Sequence, residues 1–187
     1  MGVPSPAIPS FVDGTVVHQG DLNALASNLT NLYAYNQAGF YTQRPSVLIN
    51  TTSGQSVPNV THTILNFQAA IINTDNMWTV AVPNQVTIQH AGIYWCFGQI
   101  RWPVSAANLI QSDILVNGTS IPANIAVTST LPAVNGSAGG HHVAWMANLA
   151  VGATLFLDGY QNSGGAVTLD TFVGGSTFGA FFVTNST

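Results

Sequence analysis

The chain has 187 residues, 47% hydrophobic and 10% aromatic, enough for one all-β domain with a proper core plus a short appended segment. Only 4% of residues are charged: six Asp, no Glu, two Arg (Arg44 and Arg101) and no Lys, for a net charge of −4. That balance excludes a phosphate-tracking nucleic-acid surface and a polybasic membrane patch, and it leaves solubility to Asn, Gln, Ser and Thr and to apolar surface hidden in an oligomer.

The opening Met1-Gly2-Val3-Pro4-Ser5-Pro6 has neither a basic region nor an apolar run, so no secretory signal is expected, and no stretch is apolar enough to span a bilayer. The first ten residues, rich in Pro and Ser, read as an extended arm. Asp21 then supplies a helix N-cap, and Leu22, Leu25, Leu29 and Leu32 recur at spacings of three and four before Gly39 closes the stretch. Such a stripe fits an amphipathic helix packed on its own domain, and it equally fits a helix facing sister helices or another protein, because so short a stripe is unstable alone. The pattern breaks near Arg44-Pro45, which divides the chain into an N-terminal segment, 1–43, and a second domain, 44–187.

From Arg44 onward, turn residues recur at short intervals: Ser53-Gly54, Pro83-Asn84, Asn117-Gly118, Asn135-Gly136, Val151-Gly152, Gly164-Gly165 and Gly174-Gly175. Between them lie β-branched and aromatic runs without helical period, the pattern of an antiparallel sandwich or barrel. In Gly92–Ile100 one face of the strand carries Ile93, Trp95 and Phe97 and the other carries Tyr94, Cys96 and Ile100. Phe178–Val183 is likewise apolar on both faces. A sandwich core covers one face only, so the other calls for a subunit neighbour or an unusually wide core. Cys96 is alone in the chain and reads as a buried small hydrophobe.

Catalytic chemistry is sparse. Without Glu or Lys, and with the Asp residues scattered singly, general acid–base work lacks its usual groups, and no nucleophile elbow, phosphate loop or dinucleotide fingerprint occurs. His18, His62 and His90 are far apart, and His141-His142 point to opposite faces of a strand, so the spacing offers no metal site. The expectation is a protein with no enzymatic activity and no cofactor.

Four stretches in order resemble the tumour necrosis factor and complement globular-head superfamily: Val86-Thr87-Ile88 through Gly92–Ile100, Ile114–Thr119 with its Asn-Gly turn, Ala147–Leu155, and the closing Ser176–Val183. The resemblance implies a ten-stranded jelly roll assembled as a tight trimer. It places Trp95, Phe97, Phe181 and Val183 on the intersubunit face, and His142 where three copies would meet near the axis, as a packed interface histidine or as a shared metal ligand. Ala153 stands where the superfamily usually has Asp, which predicts a looser turn there. Asp13-Gly14-Thr15-Val16-Val17, Asp21–Leu25 and Ile72–Trp78 are similar to segments of tailed-phage head fibres, capsid decoration proteins and minor tail proteins. From this second resemblance follows the expectation of a homotrimeric virion protein, made in the host cytoplasm. Leu22, Leu25, Leu29 and Leu32 would anchor it to the major capsid protein or another virion protein. The alternative on the same fold is a trimeric tail or fibre-head adhesin for a host surface glycan or protein. Neither reading involves nucleic acid or membrane.

Overall fold

The structure, a computed structural model, describes residues 44–103, 109–131, 139–171 and 174–185, together with Asn23, Ala26 and Ser27, which are helical and exposed. The chain divides into two units, Met1–Gln43 and Arg44–Thr187. The candidate anchor residues Leu22, Leu25, Leu29 and Leu32 lie outside the described residues.

The second unit is an antiparallel jelly-roll sandwich whose strands are numbered in chain order. One sheet runs β4 (Ala69–Asn73), β1 (Ser46–Asn50), β12 (Thr177–Thr184), β6 (Gly92–Trp102), β9 (Gly139–Leu149). The other runs β3 (Thr63–Ile64), β10 (Thr154–Gln161), β7 (Ile110–Val116), β8 (Ile125–Leu131), with β5 (Val86–Thr87) also pairing β10. A separate ladder joins β2 (Ser56–Val57) to β11 (Val167–Thr168). First and last strands of the unit are thus neighbours, which ties its two ends into one sheet.

Alternation decides what enters the core. Tyr94, Cys96 and Ile100 of β6 and Phe178 and Ala180 of β12 point inward and are fully buried, facing Leu155 and Leu157 of β10. Cys96 is the inert small hydrophobe its setting suggested: burial pushes its thiol up to about 12. The turns follow residue chemistry. Asn117 and Gly118 take positive φ (56° and 150°) at the end of β7, although the connection runs on to Asn124, whose side-chain amide donates to the Val116 carbonyl at 3.0 Å. At the β9–β10 turn the structure corrects the expectation of a looser loop. Ala153 is buried, its N–H donates to the Ala150 carbonyl (3.1 Å), and Gly152, at φ 82°, donates to Ile88 (2.8 Å). Main-chain bonds close the turn without an Asp side chain at 153.

The sheets approach closely at Gly98, in the middle of β6, where a methyl group would overlap the Leu157 side chain. Gly98→Ala should therefore cost about 1–3 kcal/mol through overpacking. A lowered urea midpoint at unchanged slope would register it, and an unchanged midpoint would show that Leu157 can move aside.

Candidate functional site

The face of the first sheet turned away from the core is built by three cross-strand rows. Register aligns Ile72, Leu48, Gly179, Phe97 and Ala144 across all five strands. Beside this row lie Ser46, Phe181, Trp95 and Met146, and on its other side Asn50, Thr177, Gln99 and His142. Two rows are dominated by apolar side chains, the third is polar, and none of the three carries a charge at neutral histidine.

Three rings pave the centre. Trp95 and Phe97 stack with centroids 4.8 Å apart, Phe97 and Phe181 at 5.6 Å and 7° between planes, and Trp95 and Phe181 at 6.3 Å. The Phe97 ring lies over Gly179, where a Cβ would come within 2.7 Å of its Cζ, so glycine at 179 lets that ring lie flat across the sheet. Trp95 remains 44% exposed and its cross-strand partner Met146 62% exposed. An indole and a thioether thus remain in water on a paved apolar surface.

Of the residues singled out by sequence, Trp95, Phe97 and Phe181 thus form one cluster. Val183 sits at a register irregularity of β12, half-exposed, and its carbonyl accepts from Arg44 Nη1 at 3.2 Å. His142 is exposed in the polar row, 3.5 Å from the Gln99 side-chain amide. Met146 and the Ile72–Leu48 pair extend the face and were not picked out; alternation along β9 and β1 was the signal that could have found them.

Two polar clusters were also invisible to sequence spacing. His141 is buried between the sheets, with Ser112 Oγ 3.0 Å from its Nδ1 and Ser129 Oγ 2.9 Å from its Nε2. Although a serine–histidine contact is the start of a nucleophilic pair, His141 is 2% exposed and Ser112 fully buried, so no substrate can reach it. On the second sheet, register sets Asp113 of β7 directly opposite Asp158 of β10, and His62, just before β3, meets both. Both carboxylates are fully buried; burial first, and then Asp113, hold Asp158 above the ordinary carboxylate pKa, while His62 pulls the other way.

No protein-family profile matches the chain, and no curated protein matches it. Solved structures do. The chain is similar to the globular domain of zebrafish complement 1qA protein (TM-score 0.55, 7% identity, covering 76% of this chain and 100% of that one). It is also similar to murine APRIL at pH 5.0 (0.58, 12%, 75% and 100%) and to Eiger TNF from S. frugiperda (0.56, 13%, 78% and 96%). At such identities the likeness establishes the fold: an all-β jelly roll of the tumour necrosis factor and complement globular-head type.

The buried histidine carries a pH dependence. Burial lowers the pKa of His141 from 6.5, His142 adds to that, and Asp113 opposes it. The unfolded chain therefore takes up this proton at higher pH than the folded one. The contribution is present in full above about pH 6.5 and is lost as pH falls below it. Between pH 7.5 and 5.5 the unfolding midpoint of the wild-type chain should drop more than that of His141→Gln. Parallel slopes in the two chains would remove His141 as the source.

Proposed function

We propose that the jelly roll is a non-enzymatic assembly domain that forms a homotrimer through the outer face of its first sheet. The observation that carries this reading is the uncharged pavement of Trp95, Phe97 and Phe181 flanked by Met146. Three copies can bring such faces together without electrostatic cost, because the cross-strand rows contain no ionised side chain to desolvate. Neutrality also leaves the face without the charge pattern by which an interface selects an unlike partner, which favours self-association. Within such a trimer, His142 and Gln99 form the polar border of the apolar patch.

The role we propose for the trimer is structural: a capsid decoration or head-fibre protein of a tailed phage, held on the particle by residues 1–43. Support comes from the similarity of Asp13–Val17, Asp21–Leu25 and Ile72–Trp78 to segments of such proteins. In the third segment, Asn73 Nδ2 donates to the Trp78 carbonyl at 2.8 Å and the Trp78 N–H donates to Asn73 Oδ1 at 3.1 Å. The indole N–H donates to Pro83 O at 3.1 Å, so the loop is clamped at both ends of the tryptophan. Virion assembly suits a chain whose interfaces depend little on charge, since packing then holds across wide ranges of ionic strength.

Sedimentation at micromolar concentration should give a trimer in low and in molar salt alike. Phe97→Asp would bury three unpaired carboxylates at the interface, at roughly 3–5 kcal/mol each, and should yield monomers with strand-rich circular dichroism. A monomeric wild-type chain overturns the assembly reading. For the virion role, a chain beginning at Arg44 should still trimerise but no longer decorate particles lacking the wild-type protein, with occupancy read by cryo-electron microscopy. Leu25→Asn combined with Leu29→Asn should have the same effect. Full occupancy by the shortened chain would place the attachment in the jelly roll instead.

A further inference from the structure

We propose that His62, Asp113 and Asp158 bind one divalent first-row transition ion per chain, zinc being the best fit, on the face of the second sheet turned away from the first. Asp113 and Asp158 are cross-strand partners, and their chain neighbours Ile114 and Leu157 point into the core, so alternation puts both carboxylates on the opposite face. There the nitrogen and oxygen atoms that the three residues offer converge within 4.8 Å of one another. His62 Nδ1 lies 2.5 Å from Asp158 Oδ2 and 3.6 Å from Asp113 Oδ2.

Charge and satisfaction both point to a cation. Like charges directly opposite on a strand pair repel, and here both carboxylates are fully buried. His62 faces both carboxylates, and one atom is still left over: Asp158 Oδ1 is buried and accepts no hydrogen bond. An unsatisfied carboxylate oxygen in a site already holding a second carboxylate and an imidazole is an open coordination position.

The surroundings act as a supporting shell. Gln111 Nε2 donates to both oxygens of Asp113, at 3.0 and 2.8 Å, fixing the carboxylate's orientation. Tyr160 packs on the His62 ring at 4.9 Å between centroids and limits its rotation. The His62 side chain is 29% exposed, which leaves a route for the ion and for a water as fourth ligand. An imidazole with two carboxylates suits zinc or manganese, whereas calcium calls for six to eight oxygens. Zinc needs its ligand atoms roughly 3.4 Å apart, from bonds of about 2.0–2.2 Å. The His62–Asp113 separation already meets this, and a turn of the Asp158 carboxylate opens the rest.

The test uses the full chain, stripped with a chelator and titrated with zinc chloride by calorimetry, with thermal unfolding in parallel. Expected are one ion per chain, a raised unfolding temperature, and a weaker response to calcium. Asp158→Asn and His62→Gln should each lower zinc affinity by on the order of 100-fold, and Gln111→Ala by about 10-fold. His62→Gln, at a partly exposed position, keeps the test sound where Asp158→Asn fails to fold. His142→Ala should change nothing. One ion per three chains, or loss of binding in His142→Ala, would move the zinc to shared His142 copies and overturn the proposal. Absence of binding, or binding untouched by the first two substitutions, overturns it as well.

Discussion

Strand β6 is apolar on both of its faces, and most of the architecture follows from that constraint. It is 11 residues long and bonded on one side to β12 and on the other to β9, so it is an inner strand of its sheet. Its inward set, with Tyr94, Cys96 and Ile100, is buried by the second sheet, and Gly98 lets that sheet approach. Among the described residues, the outward set, with Ile93, Trp95 and Phe97, has no third layer of strands above it. At roughly 25 cal/mol for each Å² of apolar surface, the Trp95 indole, left 44% exposed, forgoes a gain that association would recover. The same alternation that makes the core therefore makes the apolar outer face.

The scarcity of charge shapes this solution. With two cations per chain, surface ion pairs have almost no material: Arg101 lies 3.6 Å from Asp170, and Arg44 is turned to a main-chain carbonyl. Amide side chains take over tasks that carboxylates and lysines often perform. Asn73 clamps the Trp78 loop, Asn124 closes the β7–β8 connection, and Gln161 donates to the carbonyls of Val57 and Gly165 at 3.0 and 2.8 Å. Neutral hydrogen bonds of this kind resist salt, since screening acts on net charges.

The sandwich and its two-faced strands were legible because they are local patterns: period two, turn glycines and aromatic density can be read within ten residues. The ring cluster was legible for the same reason, as Trp95 and Phe97 are two apart on one strand and Phe181 sits in a second two-faced run. Asp113 and Asp158 were not, because only the β7–β10 register brings together residues so distant in the chain, and His62 enters from a third strand edge. A signal was nevertheless present. Each Asp interrupts an apolar run, Ile114-Leu115 following one and Leu155-Phe156-Leu157 preceding the other, in a chain that spends charge on so few positions. His141 escaped for another reason: its partners Ser112 and Ser129 carry no distinguishing pattern in a sequence rich in serine and threonine.

Those two aspartates also bear on how the fold chooses its register. Leu155 and Leu157 point inward from β10, and Ile114 does so from β7. A slip of one residue in either strand would exchange the faces and drive a carboxylate into the layer between the sheets, opposite Gly98 and Ile100. A charge moved from a site with a histidine beside it to one lined by leucine and isoleucine costs several kcal/mol, more than any pairing a slipped ladder could gain. Flat apolar strands such as β10 specify register weakly by themselves, since leucine fits either face. One acidic residue on each of two paired strands removes that ambiguity, because only the native pairing places both beside His62.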